Sequence, residues 1–275
     1  MQIIGCDFSS SPSKRKPIVI AISENSASDT NKYGRSTLLK LEQFDTLDGW
    51  SQYLQAQPHW VGGFDLPFGL PRELVETLGW PTDWLACTQH YAKLSRADIR
   101  ATFKAFCDAR PVGGKFAHRR ADVPAGSSPS MKWVNPPVAY MLHAGVPRLI
   151  KVGCHFPGLH AGNTNKVALE AYPGLLAREV LGNRSYKSDD KAKQTPERLI
   201  ARKDLITALE LGQTRLGLRL KLTHAQRDML VADASGDALD AVLCLMQATW
   251  ANAQGAPRYG LPADVDPLEG WIVTA

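Results

Sequence analysis

The sequence predicts an α/β fold in which a mixed sheet of five strands, three antiparallel and then two parallel, is flanked by helices. Three observations lead to this prediction. Apolar, β-branched runs fill the first quarter of the chain, residues 72–165 change to helical periodicity, and one more strand is followed by helices. We therefore expect a single domain over residues 1–275, with residues 72–165 as a helical insertion between strands four and five.

The first three strands are expected to be antiparallel neighbours, because short polar connections join them. The second strand follows a turn with a basic tip, and the third alternates Leu39 and Leu41 with charged residues, as a half-exposed strand does. The three predicted strands are Ile3–Phe8, Pro17–Glu24 and Ser36–Phe44.

A helix capped by Asp45 or Thr46 and ending near Ala56 leads to the fourth strand, Trp60–Leu66. A strand that is reached through a helix usually lies parallel to its partner. Prolines at 67 and 71 then end the strand, because proline donates no backbone hydrogen bond. This arrangement predicts that an aspartate, Asp65, stands at the carboxyl end of a buried strand.

The insertion contains four predicted helices and a long loop, Asp108–Asn135, whose length indicates a functional or mobile segment. The fifth strand, Lys166–Tyr172, precedes a helix that starts at Pro173. Towards the end, a nearly all-apolar helix is expected to be buried and to begin at a Ser235 cap. The four insertion helices are predicted at Arg72–Leu78, Thr82–Leu94, Ser95–Cys107 and Pro136–Ile150.

Composition favours an ordinary globular protein, with 44% apolar residues and no run of the roughly 18 apolar residues that a membrane span needs. We expect a cytoplasmic protein that does not contact a membrane. Its five cysteines form no CxxC pair and are expected to be free core thiols. The net charge of +5 is compatible with binding to a polyanion such as nucleic acid.

Carboxylates occur where strands and a buried helix should be apolar. Their convergence at one sheet edge would be repulsive without a divalent cation, and oxygen ligands suit Mg²⁺ or Mn²⁺. The alternatives are structural: strand acids can cap neighbouring turns, and acids at a helix start interact favourably with its dipole. The carboxylates concerned are Asp7, Asp65, Glu170, Asp237 and Asp240.

Five segments together resemble a family described as predicted nucleases, the domain of unknown function 429, within the ribonuclease H-like superfamily. They are spread over nearly the whole chain. The most distinctive is the turn Phe64-Asp65-Leu66-Pro67-Phe68-Gly69-Leu70-Pro71. The other four are Gly5-Cys6-Asp7, Glu170-Ala171-Tyr172-Pro173, Asp237-Ala238-Leu239-Asp240-Ala241 and Glu269-Gly270-Trp271-Ile272.

The resemblance implies a ribonuclease H-like core and metal-dependent hydrolysis of phosphodiester bonds, with two Mg²⁺ or Mn²⁺ ions at the scissile phosphate. Asp7 matches the first-strand acid that would bridge both ions. Glu170 and Asp240 are the next expected ligands, and Asp65 and Asp237 complete the catalytic set. Basic residues could hold a nucleic-acid backbone, or could simply be solvated surface; they are Lys14, Arg15, Lys16, Arg119, Arg120 and Lys132.

Two other functions stay open on the sequence. Gly5–Ser10 also resembles the first phosphate loop of actin-like sugar kinases, although the second phosphate loop and the adenosine loop of that class are not recognisable. The chain could alternatively be a non-catalytic nucleic-acid-binding or scaffold module on the same fold. Metal binding and ATP-dependent stabilisation would distinguish these possibilities.

Overall fold

A computed structural model describes residues 1–24 and 34–275 of the chain. Within them, strands form a six-stranded sheet and a separate pair. The strands are β1 (Gln2–Asp7), β2 (Ile18–Glu24), β3 (Arg35–Thr37), β4 (Lys40–Phe44), β5 (Trp60–Asp65), β6 (Cys154–His155), β7 (Asn163–Glu170) and β8 (Arg219–Lys221).

The larger sheet has the order β4-β2-β1-β5-β7-β6. Antiparallel pairs join β4 to β2 and β2 to β1, and parallel pairs join β1 to β5, β5 to β7 and β7 to β6. The predicted α/β class and the change from antiparallel to parallel pairing are therefore confirmed. The predicted strand number is wrong, because the short β6, within the segment expected to be helical, adds a sixth strand.

The predicted third strand is divided between the two sheets. Its first part, β3, pairs with β8, and its second part, β4, pairs with β2. The division falls at Leu38 and Leu39, whose N–H groups donate to Lys221 of β8 and to Ile22 of β2, respectively. Alternating hydrophobicity could not reveal this change of partner, because both parts are extended.

Helices pack on both faces of the larger sheet. None of the helices in residues 1–24 and 34–275 combines the length and apolar character that a membrane span requires. The helices are α1 (Leu47–Ala56), α2 (Arg72–Thr77), α3 (Trp84–Ala92), α4 (Arg96–Asp108), α5 (Asp122–Ala125), α6 (Val138–Val152), α7 (Pro173–Leu181), α8 (Pro196–Leu211), α9 (His224–Ala232) and α10 (Asp237–Gln254).

Two helix starts show how the side chains fix these boundaries. Ser95 forms the expected capping box with Asp98 at the start of α4. The prediction of a Ser235 cap for α10 is wrong, because Gly236 holds that position and makes no side-chain cap. The carboxylate of Asp233 instead accepts the N–H groups of Gly236 and Ala238. The predicted long loop also contains a helical turn, α5.

Alternate residues of the strands face two different cores. Ile4, Cys6 and Phe8 belong to the core that packs against α1, α3 and α6. Ile3 and Val61 face the other core, which contains α7, α8 and α10. All five cysteines are buried and free, as expected from their spacing.

Helix α10 lies directly on the backbone of the two central strands. Gly5 of β1 and Gly63 of β5 are register partners on the face that α10 covers. A Cβ atom on Gly5 would lie 2.0 Å from the amide nitrogen of Leu245, and one on Gly63 would lie 2.7 Å from the carbonyl oxygen of Cys244. Glycine is therefore required at both positions for the observed approach of the helix.

Gly5→Ala should lower the free energy of unfolding by about 3 kcal/mol, because the new methyl group overlaps helix backbone that cannot move independently. Gly114→Ala is the control, since the nearest atom to its Cβ would be 4.0 Å away; it should change stability by less than about 0.5 kcal/mol. Urea unfolding measures both. Equal stability of Gly5→Ala and the natural protein would contradict this packing argument.

Candidate functional site

Two aspartates end the central parallel strands side by side. Asp7 is the last residue of β1, Asp65 is the last residue of β5, and the two are register partners. Side chains two residues apart on a strand share a face, so both acids lie on the same face as Gly5 and Gly63. They stand at the carboxyl ends of parallel strands, where open α/β sheets commonly bind ligands.

Helix α10 brings a third carboxylate to this pair. Asp240 is in its first turn and is fully buried, five residues before the Leu245 amide that lies against Gly5. Asp7, Asp65 and Asp240 each offer one oxygen to a group in which all three oxygens lie within 4.8 Å of one another. We call this group the acidic cluster.

The acidic cluster is electrostatically unfavourable when all its members are ionised. Burial and the neighbouring charge of Asp240 raise the pKa of Asp65 to about 7. Burial and Asp240 also raise the pKa of Asp7 well above its ordinary value, against the opposing effect of Lys187. In the part of the chain that the structure describes, neither carboxylate accepts a hydrogen bond that would offset this cost.

Asp240 differs from the other two acids because protein groups balance its charge. Tyr186 donates its hydroxyl hydrogen to one carboxylate oxygen, and the ammonium of Lys187 contacts the other. Although burial opposes a charge on Lys187, Asp240 raises the pKa of that lysine well above its ordinary value. The segment that carries both residues thereby fixes the orientation of Asp240.

Asp237 lies beside the acidic cluster but is not a member of it. Its carboxylate accepts a hydrogen bond from Ser235 and is 3.8 Å from the ammonium of Lys16. Burial raises its pKa. Lys16 also pairs with Asp189 at 2.6 Å, so this lysine connects the β1–β2 turn to the segment after α7.

Glu170 lies on the opposite face of the sheet from the acidic cluster. Its register partner on β5 is Phe64, one residue before Asp65, and Phe64 faces the α1 core. Both Glu170 carboxylate oxygens accept hydrogen bonds from Arg119, at 2.6 and 2.8 Å, and one also accepts the N–H of Phe68. The structure therefore places this predicted ligand in a buried ion pair, outside the group of three.

Arg119 cannot hold a nucleic-acid backbone as expected. It is buried, and its five guanidinium hydrogens are directed to Glu170, to Asp122 and to the carbonyl oxygen of Glu269. Those two acids keep its pKa above the ordinary value. Because every donor has a protein acceptor, none is available to a phosphate. Arg119 fastens the long loop to the end of β7.

The other predicted phosphate contacts occupy different surroundings. Arg120 donates to the Asp264 carboxylate and backbone at the surface. Lys14 and Arg15 are exposed in the β1–β2 turn, and Lys132 is half-buried. None of these four lines the cavity at the acidic cluster, whereas Lys16 does.

A cavity of about 860 Å³ lies over Asp7 and Asp65. Its wall includes the β1–β2 turn, the start of α7 and the segment after α7. The insertion contributes α4, α6 and the loop before α6. Cationic side chains are prominent in the lining; they are Lys16, Arg96, Arg119, Arg178, Arg184 and Lys187. An acidic floor below cationic walls suits a bound cation with an anionic substrate.

Sequence reasoning missed Tyr186, Arg96 and Tyr140 as residues of this site. Tyr186 contacts Asp240 across 54 positions of the chain, and Arg96 and Tyr140 reach the cavity from the insertion. No motif or periodicity joins these residues to the acids. Their proximity depends on how the insertion and the segment after α7 fold back over the sheet.

Comparison of the chain with protein-family models, with curated proteins and with solved structures gives no match. The functional argument therefore depends on the acidic cluster and the cavity. Both fit a divalent cation: three carboxylate oxygens converge, two of the carboxylates have no donor within residues 1–24 and 34–275, and hard oxygen ligands suit Mg²⁺ or Mn²⁺.

In the metal-free protein, Asp65 should contribute a loss of stability as the pH rises from about 4 to 7. Folded Asp65, with a pKa of about 7, keeps a proton in that range that the unfolded chain releases near its ordinary value of 3.8. The folded state then binds more protons, so the free energy of unfolding falls with pH. Asp65→Asn should reduce this slope by about 1 kcal/mol per pH unit.

Urea unfolding in a chelator at pH 4 to 7 measures the slope. Asp228→Asn is the control, because Asp228 is exposed on α9, and it should leave the slope unchanged. An Asp65→Asn variant with the slope of the natural protein would show that Asp65 is not held at a raised pKa.

Glu170→Gln should lower the free energy of unfolding by about 3 kcal/mol, because it leaves part of the buried Arg119 charge unbalanced. Mn²⁺ binding, measured by calorimetry, should persist. Glu76→Gln removes an exposed partner of Arg72 and should cost less than about 1 kcal/mol. Loss of Mn²⁺ binding in a stably folded Glu170→Gln variant would instead identify Glu170 as a ligand.

Proposed function

We propose that this protein is a metal-dependent nuclease that hydrolyses phosphodiester bonds. The observation that carries the proposal is the convergence of Asp7, Asp65 and Asp240 below a cavity with cationic walls. If these acids had only a structural role, the protein would be expected to supply hydrogen-bond donors to them. Two of the three have none among the described residues, and their raised pKa values fit a site whose charge is completed by a ligand.

The order of the strands supports a ribonuclease H-like core for this nuclease. In the five strands β4, β2, β1, β5 and β7, two antiparallel pairs are followed by two parallel pairs, and β1 is central. The first-strand acid then lies in the middle of the sheet, as the superfamily resemblance implies for Asp7. The sixth strand, β6, extends the far edge beyond β7.

Asp7, Asp65 and Asp240 would hold Mg²⁺ or Mn²⁺, with Asp237 close enough to add to the negative field. A bound cation would lower the pKa of a coordinated water and stabilise negative charge on the phosphate. The protein contributes the orientation of the ligands. Tyr186 and Lys187 fix Asp240, and the register of β1 against β5 fixes Asp7 beside Asp65.

The cationic lining would position the phosphate without taking part in bond cleavage. Lys16, which pairs with Asp189, and Lys187, which pairs with Asp240, both line the cavity next to the acids. The ammonium hydrogens that these pairs leave over would attract a phosphodiester towards the acidic floor. Arg119 lines the same cavity but is fully engaged, and its role is to hold the wall in place.

The phosphotransferase alternative has weaker support. The serines at positions 9, 10 and 11 do line the cavity beside Asp7, as a phosphate loop would. An actin-like enzyme also needs a second domain with its own sheet, and outside the six-stranded sheet the described residues form only the short β3–β8 pair. The non-catalytic alternative predicts no hydrolysis at all.

Asp7→Asn tests the proposal. The natural protein should bind Mn²⁺, which at 100 times its Kd stabilises the fold by about 2.7 kcal/mol, and should hydrolyse bis(p-nitrophenyl) phosphate and oligonucleotides. Asp7→Asn should lose the Mn²⁺-dependent stabilisation and about 100-fold or more of the activity. Asp228→Asn should retain both.

Calorimetry, thermal unfolding with and without Mn²⁺, and product analysis give three separate readouts. If the protein binds Mn²⁺ but hydrolyses no phosphodiester, it is a metal-binding module and the nuclease proposal is refuted. Stabilisation by ATP and Mg²⁺, with phosphoryl transfer from ATP, would favour the phosphotransferase.

A further inference from the structure

Asp7 and Asp65 of the acidic cluster line a cavity whose walls come from several separate segments of the chain. On one side, the guanidinium of Arg96, at the start of α4, donates to the carbonyl oxygen of Ser10 at 2.8 Å and joins the insertion to the β1–β2 turn. On another side, Lys16 of the same turn pairs with Asp189 at 2.6 Å. These two contacts, which we call the rim bridges, connect separate segments of the cavity wall.

The rim bridges restrict what can reach the acids. A duplex lying across the sheet edge would have to displace Arg96 from Ser10 or Lys16 from Asp189, together with the chain segments they join. The cavity volume of about 860 Å³ is in the range of pockets that bind small molecules. This volume would hold one or two nucleotides of a substrate that enters from the solvent side of the cavity.

The lining has the two kinds of surface that a nucleotide needs. The insertion side presents an apolar wall of Pro136, Pro137, Val138 and Met141 together with the ring of Tyr140. Aromatic side chains stack with bases irrespective of sequence. The guanidinium of Arg96, 4.9 Å from the ring centroid, covers one face of Tyr140, so a base would use the other face. The opposite side carries the serines at 9 to 11 and Lys16, which are suited to phosphate.

Cationic groups continue outward from the cavity to the surface. Lys16 is 46% exposed and pairs with Asp189, and Arg184 is 52% exposed and pairs with Asp204 at 2.7 Å; both cations line the cavity while extending into solvent, where a phosphate would compete with these aspartates. A free phosphate or a mononucleotide would have no use for charges outside the cavity. A chain of phosphates that continues over the rim would contact them.

We propose that the substrate is the free end of a single-stranded nucleic acid, which enters the cavity with its terminal nucleotide against the Tyr140 wall. This inference rests on the proposed nuclease function and specifies how that site is reached. Hydrolysis at the acidic cluster adds one water across a phosphodiester bond and releases the terminal nucleotide, with no further reactant.

The test compares three substrates with Mn²⁺: a linear single-stranded oligonucleotide labelled at one end, a covalently closed single-stranded circle of the same sequence, and a blunt duplex. The linear strand should be degraded from its end, at least about 100-fold faster than the circle. With Ca²⁺ in place of Mn²⁺, fluorescence anisotropy should show tighter binding of the linear strand than of the circle.

Arg96→Ala should open one rim bridge and raise cleavage of the circle at least about tenfold, while Arg100→Ala, one turn later and outside this cavity, should not. If the natural protein cleaves the circle and the linear strand at comparable rates, this inference is wrong and the nuclease proposal stands. The same conclusion follows if the protein hydrolyses bis(p-nitrophenyl) phosphate but no oligonucleotide. Failure to hydrolyse any phosphodiester would overturn both.

Discussion

The contact between α10 and the two central strands determines where the site can form. Gly5 and Gly63 are paired across β1 and β5, and the absence of side chains there lets the helix backbone rest on the strand backbone. Asp7 and Asp65 follow two residues later on the same face, and Asp240 is in the first turn of the helix. One close packing interaction therefore brings carboxylates from three separate elements together, and a larger residue at either glycine would separate them.

This packing creates an electrostatic cost that the protein offsets only in part. Asp240, the most buried of the three acids, receives the hydroxyl of Tyr186 and the ammonium of Lys187. Asp7 and Asp65 face the cavity and have raised pKa values. Natural folds keep uncompensated charge mainly at functional positions. The unequal treatment of acids that lie so close together supports the proposal that a cation and a substrate bind on the cavity side of the cluster.

Strand periodicity predicts the central strands and the ends that carry Asp7 and Asp65, and the helix before the fourth strand predicts the change to parallel pairing. Glu170 shows the limit of that reasoning, because its place in β7 depends on register. Ala171, one residue later, falls level with Asp65, so Glu170 faces the other core. Contacts such as Tyr186 with Asp240 join distant segments, and no local pattern encodes them. The division of the third strand between two sheets was likewise invisible in its alternation.

Glu170 is not a member of the acidic cluster, but it fixes the position of the insertion relative to the acids. Through Arg119 it binds Asp122 in the long loop, and its own backbone oxygen accepts the N–H of Val273 near the chain end. Glu269 in turn accepts the backbone N–H of Arg120. A buried ionic network is stable only when every member is paired, which favours a single arrangement of the segments it joins. The long-loop part of the cavity wall is therefore held by the same strand end that the family resemblance assigned to the metal.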